Sequence, residues 1–94
     1  MKIFKQLFEQ NCSKMSLDDY FTMRLPDGTR VYVCYCTRFV LDDEDFIESS
    51  SDIVKIRLTD ESGTLLFAES MRTNESSLFE DAWGLVREAT GCKI

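Results

Sequence analysis

The chain has 94 residues, 44% of them apolar and 30% charged, and its 17 acidic and 11 basic residues give a net charge of −6. Its length and aromatic content predict one folded domain, residues 1–94, rather than a multidomain or disordered chain. The acidic balance argues against nucleic acid or an anionic membrane surface as a direct partner, because affinity for phosphates comes from Lys and Arg. It allows a protein partner with a basic surface.

The N-terminal residues predict a short helix and no export signal. Lys5, Gln6 and Glu9 interrupt any apolar core of a signal peptide, and no segment approaches the ~18 apolar residues of a membrane span. We therefore expect a cytoplasmic protein with reduced cysteines. Apolar residues recur at helical spacing over residues 2–12, and a helix of this length forms only when it docks. They are Ile3, Phe4, Leu7 and Phe8.

Residues 20–39 predict a β-hairpin around Pro26-Asp27-Gly28. Tyr20 to Leu25 alternates between two faces, and Pro followed two residues later by Gly is typical of a three-residue turn that ends in a left-handed residue. The pairs would be Leu25 with Thr29, Met23 with Val31 and Phe21 with Val33. The core face of the second strand would be Val31, Val33, Tyr35 and Phe39.

A second register of this hairpin is open. A two-residue turn at Asp27-Gly28 would pair Leu25 with Arg30 and would turn Cys34 and Cys36 inward, because a slip of one residue exchanges the two faces of a strand. We favour the three-residue turn, since it matches apolar with apolar side chains on one face.

A second hairpin is predicted beyond residue 51. Residues 52–59 alternate, and the turn Asp60-Glu61-Ser62-Gly63 leads into a fourth strand over residues 64–72. The apolar face of the third strand would be Val54, Ile56 and Leu58. The fourth strand has a mixed pattern, which is typical of a strand covered on both faces or placed in the middle of a sheet.

The best helix signal lies near the C-terminus. Asn74-Glu75-Ser76-Ser77 opens it, Ser77 with Glu80 fits a capping box, Asn74 is an alternative N-cap, and Gly91 is a natural stop. Gly84 lowers helix propensity, and we expect it to mark a close contact with the sheet. The apolar stripe comprises Leu78, Ala82, Leu85, Val86 and Ala89.

These elements predict an α+β fold in the order α-β-β-β-β-α. Two consecutive β-hairpins would form a four-stranded antiparallel sheet, with the amphipathic C-terminal helix on one face and a short N-terminal helix. The other face would carry Arg24, Arg30, Tyr32, Cys34, Cys36 and Arg38. That face is too apolar to be wholly wet, so either the N-terminal helix covers it or it forms a dimer interface.

The residue types argue against catalysis and against a bound cofactor or metal. The chain has no histidine to activate a Cys or Ser nucleophile, and its four glycines form no phosphate-binding loop. Two carboxylates could act as an acid–base pair, but seventeen acids make some pair inevitable. Four thiolates could bind zinc, yet they lack the usual spacing, and we expect ordinary thiols. These are Cys12, Cys34, Cys36 and Cys92.

The most distinctive segment is the acidic run Leu41–Asp52, which we expect to join the two hairpins. Six of its twelve residues are carboxylates and none is basic. A calcium loop would need a central Gly and a Glu at its twelfth position, and this run has neither. We predict a partner-binding site made of Asp42, Asp43, Glu44, Asp45, Phe46, Ile47, Glu48 and Asp52. Asp60 and Glu61 could extend its negative stripe.

In size, charge and element order the chain resembles phage-encoded inhibitors of CRISPR or restriction enzymes, although no motif carries the resemblance. It implies a small acidic protein that engages the basic surface of a nucleic-acid-processing enzyme. The alternative is a structural or assembly protein, a sheet-mediated homo-oligomer whose acidic run is a solvated loop. A third possibility is a ligand pocket lined by Tyr20, Tyr32 and Trp83. Exposure of Phe46 and Ile47 would distinguish a docking surface from an incidental loop.

Overall fold

The computed structural model describes residues 2–91, in which four strands form one antiparallel sheet and two helices lie on one of its faces. The elements are α1 (Lys2–Ser13), β1 (Tyr20–Arg24), β2 (Arg30–Leu41), β3 (Ile47–Thr59), β4 (Leu65–Arg72) and α2 (Leu78–Ala89). The spatial order of the strands, β1-β2-β3-β4, follows the sequence. The predicted α+β class and element order are confirmed.

Each of the three hairpins closes through a three-residue loop of the same geometry. The amide of the third loop residue donates to the carbonyl of the residue before the loop, and this third residue has a positive φ. It is Gly28 in the first loop (φ 92°), Asp45 in the second (φ 65°) and Gly63 in the third (φ 91°). A left-handed residue at this place matches the turn to the twist of the flanking strands.

The predicted register of the first hairpin is confirmed. Phe21 pairs with Val33 and Met23 with Val31, while the amide of Leu25 donates to the carbonyl of Thr29 over 2.7 Å. Cys34 and Cys36 therefore lie on the face away from the helices. The predicted burial of Phe39 is wrong, because β2 extends beyond the helices and this side chain is 56% exposed. The buried residues of β2 are Val31, Val33 and Tyr35.

Phe8 lies at the centre of the core. It is fully buried, and its ring centroid lies 5.4 Å from that of Phe21 on β1 and 5.3 Å from that of Trp83 on α2. Phe4 and Phe79 complete this aromatic cluster, with centroids about 6 Å from that of Phe8. The cluster holds α1 beside α2 on one face of the sheet, so α1 does not cover the opposite face.

Two details of the last third of the chain differ from prediction. Ser77 precedes α2, but its hydroxyl donates to the Asp81 carboxylate over 2.9 Å and caps no backbone amide, so the capping box is not formed. β4 is an edge strand, neither central nor covered on both faces, and it leaves Leu65 and Leu66 exposed. Its mixed pattern reflects this position, since an edge strand has fewer neighbours to bury its side chains.

Gly84 makes no close contact with the sheet. Apart from the backbone of its own helix and its two chain neighbours, no described atom lies within 4 Å of the place where its Cβ would be, and the residue is exposed in the middle of α2. We predict that Gly84→Ala raises the free energy of unfolding by about 0.5–1 kcal/mol, because alanine has the higher helix propensity and meets no obstacle. Urea denaturation measures this change.

The control for that substitution is Gly28→Ala, where the left-handed backbone disfavours any side chain. It should lower the free energy of unfolding by about 1 kcal/mol or more. A loss of stability in Gly84→Ala would contradict the solvent-facing position of this glycine.

Candidate functional site: an acidic arm and an open sheet face

We expected the acidic run to link two separate hairpins. In the structure it forms the end of a long hairpin between β2 and β3. β1 pairs with β2 only up to Cys34, and β4 pairs with β3 only from Ile53 onward. Beyond these residues β2 and β3 pair with each other alone and leave the body of the protein. We call residues 39–50 the acidic arm. The arm lengthens the molecule to 47 × 29 × 20 Å.

The turn of the acidic arm is stabilised by its first residue. The Asp42 carboxylate accepts hydrogen bonds from the amides of Glu44 (2.9 Å) and Phe46 (3.0 Å), and the Asp42 amide donates to the Phe46 carbonyl (2.8 Å). Asp45 supplies the left-handed residue of the turn. In the β3–β4 turn, Asp60 binds the amides of Ser62 and Thr64 in the same way. The arm thus has an ordered tip, although it contains no glycine.

The acidic arm combines negative charge with exposed apolar side chains. Five carboxylates lie on it, and no Lys or Arg does. Leu41 pairs with Ile47 across the arm, and Glu48 is the extra residue of a β-bulge beside this pair. Phe46 is 66% exposed and Ile47 63% exposed. Large apolar side chains grouped beyond the core are typical of an interaction surface.

Seven of the eight predicted site residues lie together on the acidic arm. The eighth, Asp52, lies at the base of the arm, where it is half-buried and accepts a hydrogen bond from the Thr37 hydroxyl over 3.0 Å. Asp60 and Glu61 do not extend the stripe. They lie beyond the opposite end of β3, twelve residues or more from Ile47, which corresponds to about 40 Å along a strand.

The face of the sheet away from the helices is uncovered and basic, and we call it the open face. Its cross-strand rows place Arg24 opposite Arg30, Tyr32 opposite Arg57, and Cys34 opposite Lys55. The six cations of this face are Arg24, Arg30, Arg38, Lys55, Arg57 and Arg72. No carboxylate occupies a strand position on the open face between Arg30 and Arg38.

Two tyrosines lie side by side on the open face. The rings of Tyr20 and Tyr32 stack with centroids 5.5 Å apart and an interplanar angle of 28°, and Tyr20 is 65% exposed. Partial burial, with Cys34 next in importance, raises the pKa of Tyr32, while Arg57 opposes the shift. The Tyr32 hydroxyl therefore stays protonated at neutral pH and can donate a hydrogen bond.

A shallow depression of about 680 Å³ adjoins these rings. Arg24, Arg30 and Arg57 line it, together with Thr22, Tyr32 and Thr59. Further along the sheet, Arg38 donates a hydrogen bond to the Ser70 hydroxyl over 2.6 Å. To reach from β2 to β4, the arginine side chain crosses β3 at the level of Ile53. Ile53 is buried on this otherwise open surface, and the apolar stem of an arginine on this path can cover it.

Sequence reasoning missed the extent of this basic surface. The alternation of residues 20–38 assigns three arginines to one face of the first hairpin, and the alternation of residues 52–59 assigns Lys55 and Arg57 to one face of the third strand. The signal was present in each segment. Only the pairing of β2 with β3 joins the two sets into one surface.

The structure does not bring together the residues of the two other candidate sites, the cysteine zinc site and the aromatic pocket. Cys12 is buried on the helix side, where burial, with Glu9 next, raises the pKa of its thiol to about 12, whereas Cys34 and Cys36 lie on the open face. Cys92 lies outside the described residues. Within residues 2–91, no group of three or more Cys, Asp or Glu could hold a metal ion. Trp83 belongs to the aromatic core, so it lines no pocket with Tyr20 and Tyr32.

Comparisons with known proteins do not identify the chain. No family model matches it, and neither a curated protein nor a solved structure is significantly similar to it. Neither of the helices within residues 2–91 has the length and apolar character needed to cross a membrane.

The ordered tip of the acidic arm leads to a prediction about its backbone. Asp42→Ala removes the acceptor for the amides of Glu44 and Phe46, so both amides should exchange their hydrogens several-fold faster, while the amide of Val33 is unchanged. Hydrogen exchange followed by NMR measures these rates. Asp43→Ala is the matched control, because Asp43 lies on the same turn but supplies neither of these hydrogen bonds. Equal rates in the two variants would contradict the role of Asp42.

Proposed function

We propose that the chain is a protein-binding module that inhibits a nucleic-acid-processing enzyme by docking its acidic arm on the enzyme's basic surface. The exposure of Phe46 and Ile47 carries this proposal. If the acidic run were an incidental loop, its two central apolar side chains would be expected in the core. Both instead lie at the end of an ordered arm that projects from the body of the protein.

The charge of the arm favours a basic partner. Asp42, Asp43, Glu44 and Asp45 are consecutive and exposed, and no cation of the arm relieves their mutual repulsion. A groove that binds nucleic acid is lined by Lys and Arg, which would relieve it. Complementary charges also accelerate encounter, so the association rate should fall as salt concentration rises.

The apolar side chains of the arm would supply most of the affinity. Charged groups at the rim of an interface contribute mainly to the association rate and to specificity, whereas a few buried apolar or aromatic anchors dominate the binding free energy. Leu41, Phe46 and Ile47 are grouped at the end of the arm and are available as such anchors. Each could contribute about 1.5–3 kcal/mol if the partner buried it fully.

A second candidate function is a sheet-mediated homo-oligomer with a structural role. β4 is a free edge strand that exposes Leu65, Leu66 and Met71, and an exposed apolar edge is a template for pairing with another chain. Light scattering after size-exclusion chromatography separates the two functions. A dimer that persists when the arm is changed would favour the oligomer, and a monomer at micromolar concentration would favour the arm.

Reversing the charge of the arm tests its role directly. We predict that Asp43→Lys, Glu44→Lys and Asp45→Lys together abolish capture of the partner from a native host lysate, because the reversed arm repels a basic surface. Thermal stability should fall by no more than a few degrees: all three side chains are exposed, and the main cost is that Lys tolerates the left-handed backbone at residue 45 less well than Asp. Affinity capture with mass spectrometry identifies the partner, and an assay of that partner tests for inhibition.

The matched control makes the same change in net charge elsewhere. Glu69, Glu75 and Glu88 are exposed and lie away from the arm, so their joint replacement by Lys should leave capture intact. Equal loss of capture in both triple variants would contradict docking through the arm. Capture of a protein that does not process nucleic acid would contradict the proposed class of partner.

The apolar anchors give a separate prediction. Phe46→Ala and Ile47→Ala should each weaken binding of the captured partner by at least ten-fold, mainly through faster dissociation, because an anchor acts after encounter. Surface plasmon resonance measures both rates. Leu66→Ala is the control, since this residue is exposed to a similar degree on β4 and should leave both rates unchanged. Unchanged dissociation in both arm variants would contradict the role of these side chains as anchors.

A further inference from the structure

We propose that the open face binds single-stranded nucleic acid, with its cations contacting phosphates and its tyrosines stacking on bases. This surface and this class of partner are distinct from the acidic arm and its protein partner. The open face brings together three features that such a ligand requires: a row of cations, exposed aromatic rings and freedom from covering helices.

The distribution of charge supports this proposal even though the net charge is −6. The six cations of the open face are more than half of the 11 basic residues of the chain. The Asp42 turn lies twelve residues from Arg30 along β2, which corresponds to about 40 Å, or several screening lengths at physiological salt. The net charge of the whole chain therefore does not give the electrostatic potential at the end of the open face where Arg30 lies.

Three carboxylates border the open face at the end where the β1–β2 and β3–β4 turns lie. Two of them accept hydrogen bonds from amides of their own turns. Asp27 accepts a hydrogen bond from the Thr29 amide, and Asp60 accepts from Ser62 and Thr64. These hydrogen bonds lower the pKa of both carboxyl groups. Glu61 lies beside Gly28 at the same edge. The strand positions of the open face carry none of these acids.

The arginines of the open face lie opposite one another in a way that costs stability. Arg24 and Arg30 form a directly opposed pair, and like charges so placed are destabilising. With Arg57 they line the shallow depression beside Tyr32. An anionic ligand would relieve this repulsion, and arginine donates paired hydrogen bonds that fit a phosphate group.

The aromatic rings favour a single strand over a duplex. The ring of Tyr20 is largely exposed and stacks on Tyr32, so its free side can receive the flat face of a base. Bases in a duplex are stacked on each other and present only their edges, whereas the bases of a single strand are free to stack on protein rings. The same stacking tolerates any base, so we expect little sequence preference.

The spacing of the cations favours a polyanion over the acidic arm of a second copy of this chain. The basic side chains of β2 alone extend from Arg30 to Arg38, about 27 Å along the strand. The arm concentrates four of its five carboxylates in residues 42–45, whereas a nucleic acid carries a phosphate at every nucleotide. A repeating charge can contact the whole open face, and a compact acidic turn can contact one part of it.

Fluorescence anisotropy with labelled 12-mers of deoxythymidine and uridine tests the proposal. We expect saturable binding at 50 mM salt, and a fall of log K with log salt with a slope of about −3 if roughly four phosphates are contacted. Arg30→Glu with Arg57→Glu should weaken binding at least ten-fold. Tyr20→Ala should weaken it about ten-fold with little change in the salt slope, because stacking is not ionic.

The controls separate the open face from general charge and from the acidic arm. Lys5→Glu with Arg87→Glu makes the same change in net charge on the helix side and should leave binding within about two-fold. Arg30→Glu also places a carboxylate opposite Arg24, so we expect this variant to fold, as circular dichroism would verify. Tyr20→Ala tests the same surface through an exposed side chain and needs no charge reversal.

Three outcomes would overturn the proposal. The first is the absence of saturable binding of either 12-mer at 50 mM salt with protein up to about 100 µM, a concentration that matches the weakest dissociation constants typical of non-specific binding at the higher physiological salt. The second is equal weakening by the two charge-reversal pairs. The third is a salt-sensitive dimer, seen by light scattering. It would have to dissociate in the variant Arg30→Glu with Arg57→Glu and also in the variant with lysine at residues 43–45. That result would assign the open face to the arm of a second copy.

The proposed function stands or falls separately. Replacing residues 43–45 by lysine should abolish capture of the protein partner and should not weaken binding of the 12-mers. Arg30→Glu with Arg57→Glu should weaken binding of the 12-mers and should leave capture of the protein partner intact.

Discussion

The packing of Phe8 decides which surfaces of this protein are free. Its ring contacts β1 through Phe21 and α2 through Trp83, so one side chain joins both helices to the same face of the sheet. A helix on each face would have hidden the basic residues of β1, β2 and β3. Since aromatic contacts between buried rings add to the free energy of burial, the cluster around Phe8 keeps α1 from covering the other face. The open face is therefore a consequence of how the core is built.

The three-residue loops set the second constraint, because each fixes the register of its hairpin. In a strand, a slip of one residue exchanges the two faces, which here would move Arg30 and Tyr32 into the core and Val31 and Val33 to the surface. The left-handed third residue of each loop thus determines both the composition of the core and the separation of basic from apolar side chains. The core and the basic open face therefore depend on the same backbone geometry at Gly28 and Gly63.

Local patterns predicted most of the fold, and tertiary placement accounts for what they missed. Alternation and the Pro26-Asp27-Gly28 turn identified the first register, and helical spacing identified both helices. The arm was missed because its turn has Asp45 where the other two have glycine, although Asp42 and Asp45 repeat the spacing of Asp60 and Gly63. Amphipathic spacing gives the apolar side of α1 but no information on which face of the sheet it covers.

The same distinction applies to the candidate sites. Four of the five acids of the arm are consecutive in the sequence, so the acidic run was visible from the sequence alone, and seven of the eight residues predicted from it lie on the arm. The cations of the open face come from four strands, and Arg72 and Arg24 are almost fifty residues apart. A surface assembled from alternate residues of several strands is visible only after strand order and register are known. The two surfaces differ in this respect as well as in charge.

Asp45 occupies a backbone conformation that the other two loops give to glycine. A residue with a side chain is disfavoured in the left-handed conformation, and glycine adopts it without steric cost, as it does in the other two loops. Asp tolerates this conformation better than most residues, so the cost is small, but glycine would remove it. The carboxylate at this place makes four consecutive acids at the tip of the arm. The left-handed backbone at Asp45 thus coincides with the greatest concentration of negative charge, which fits the proposed role of that charge in binding.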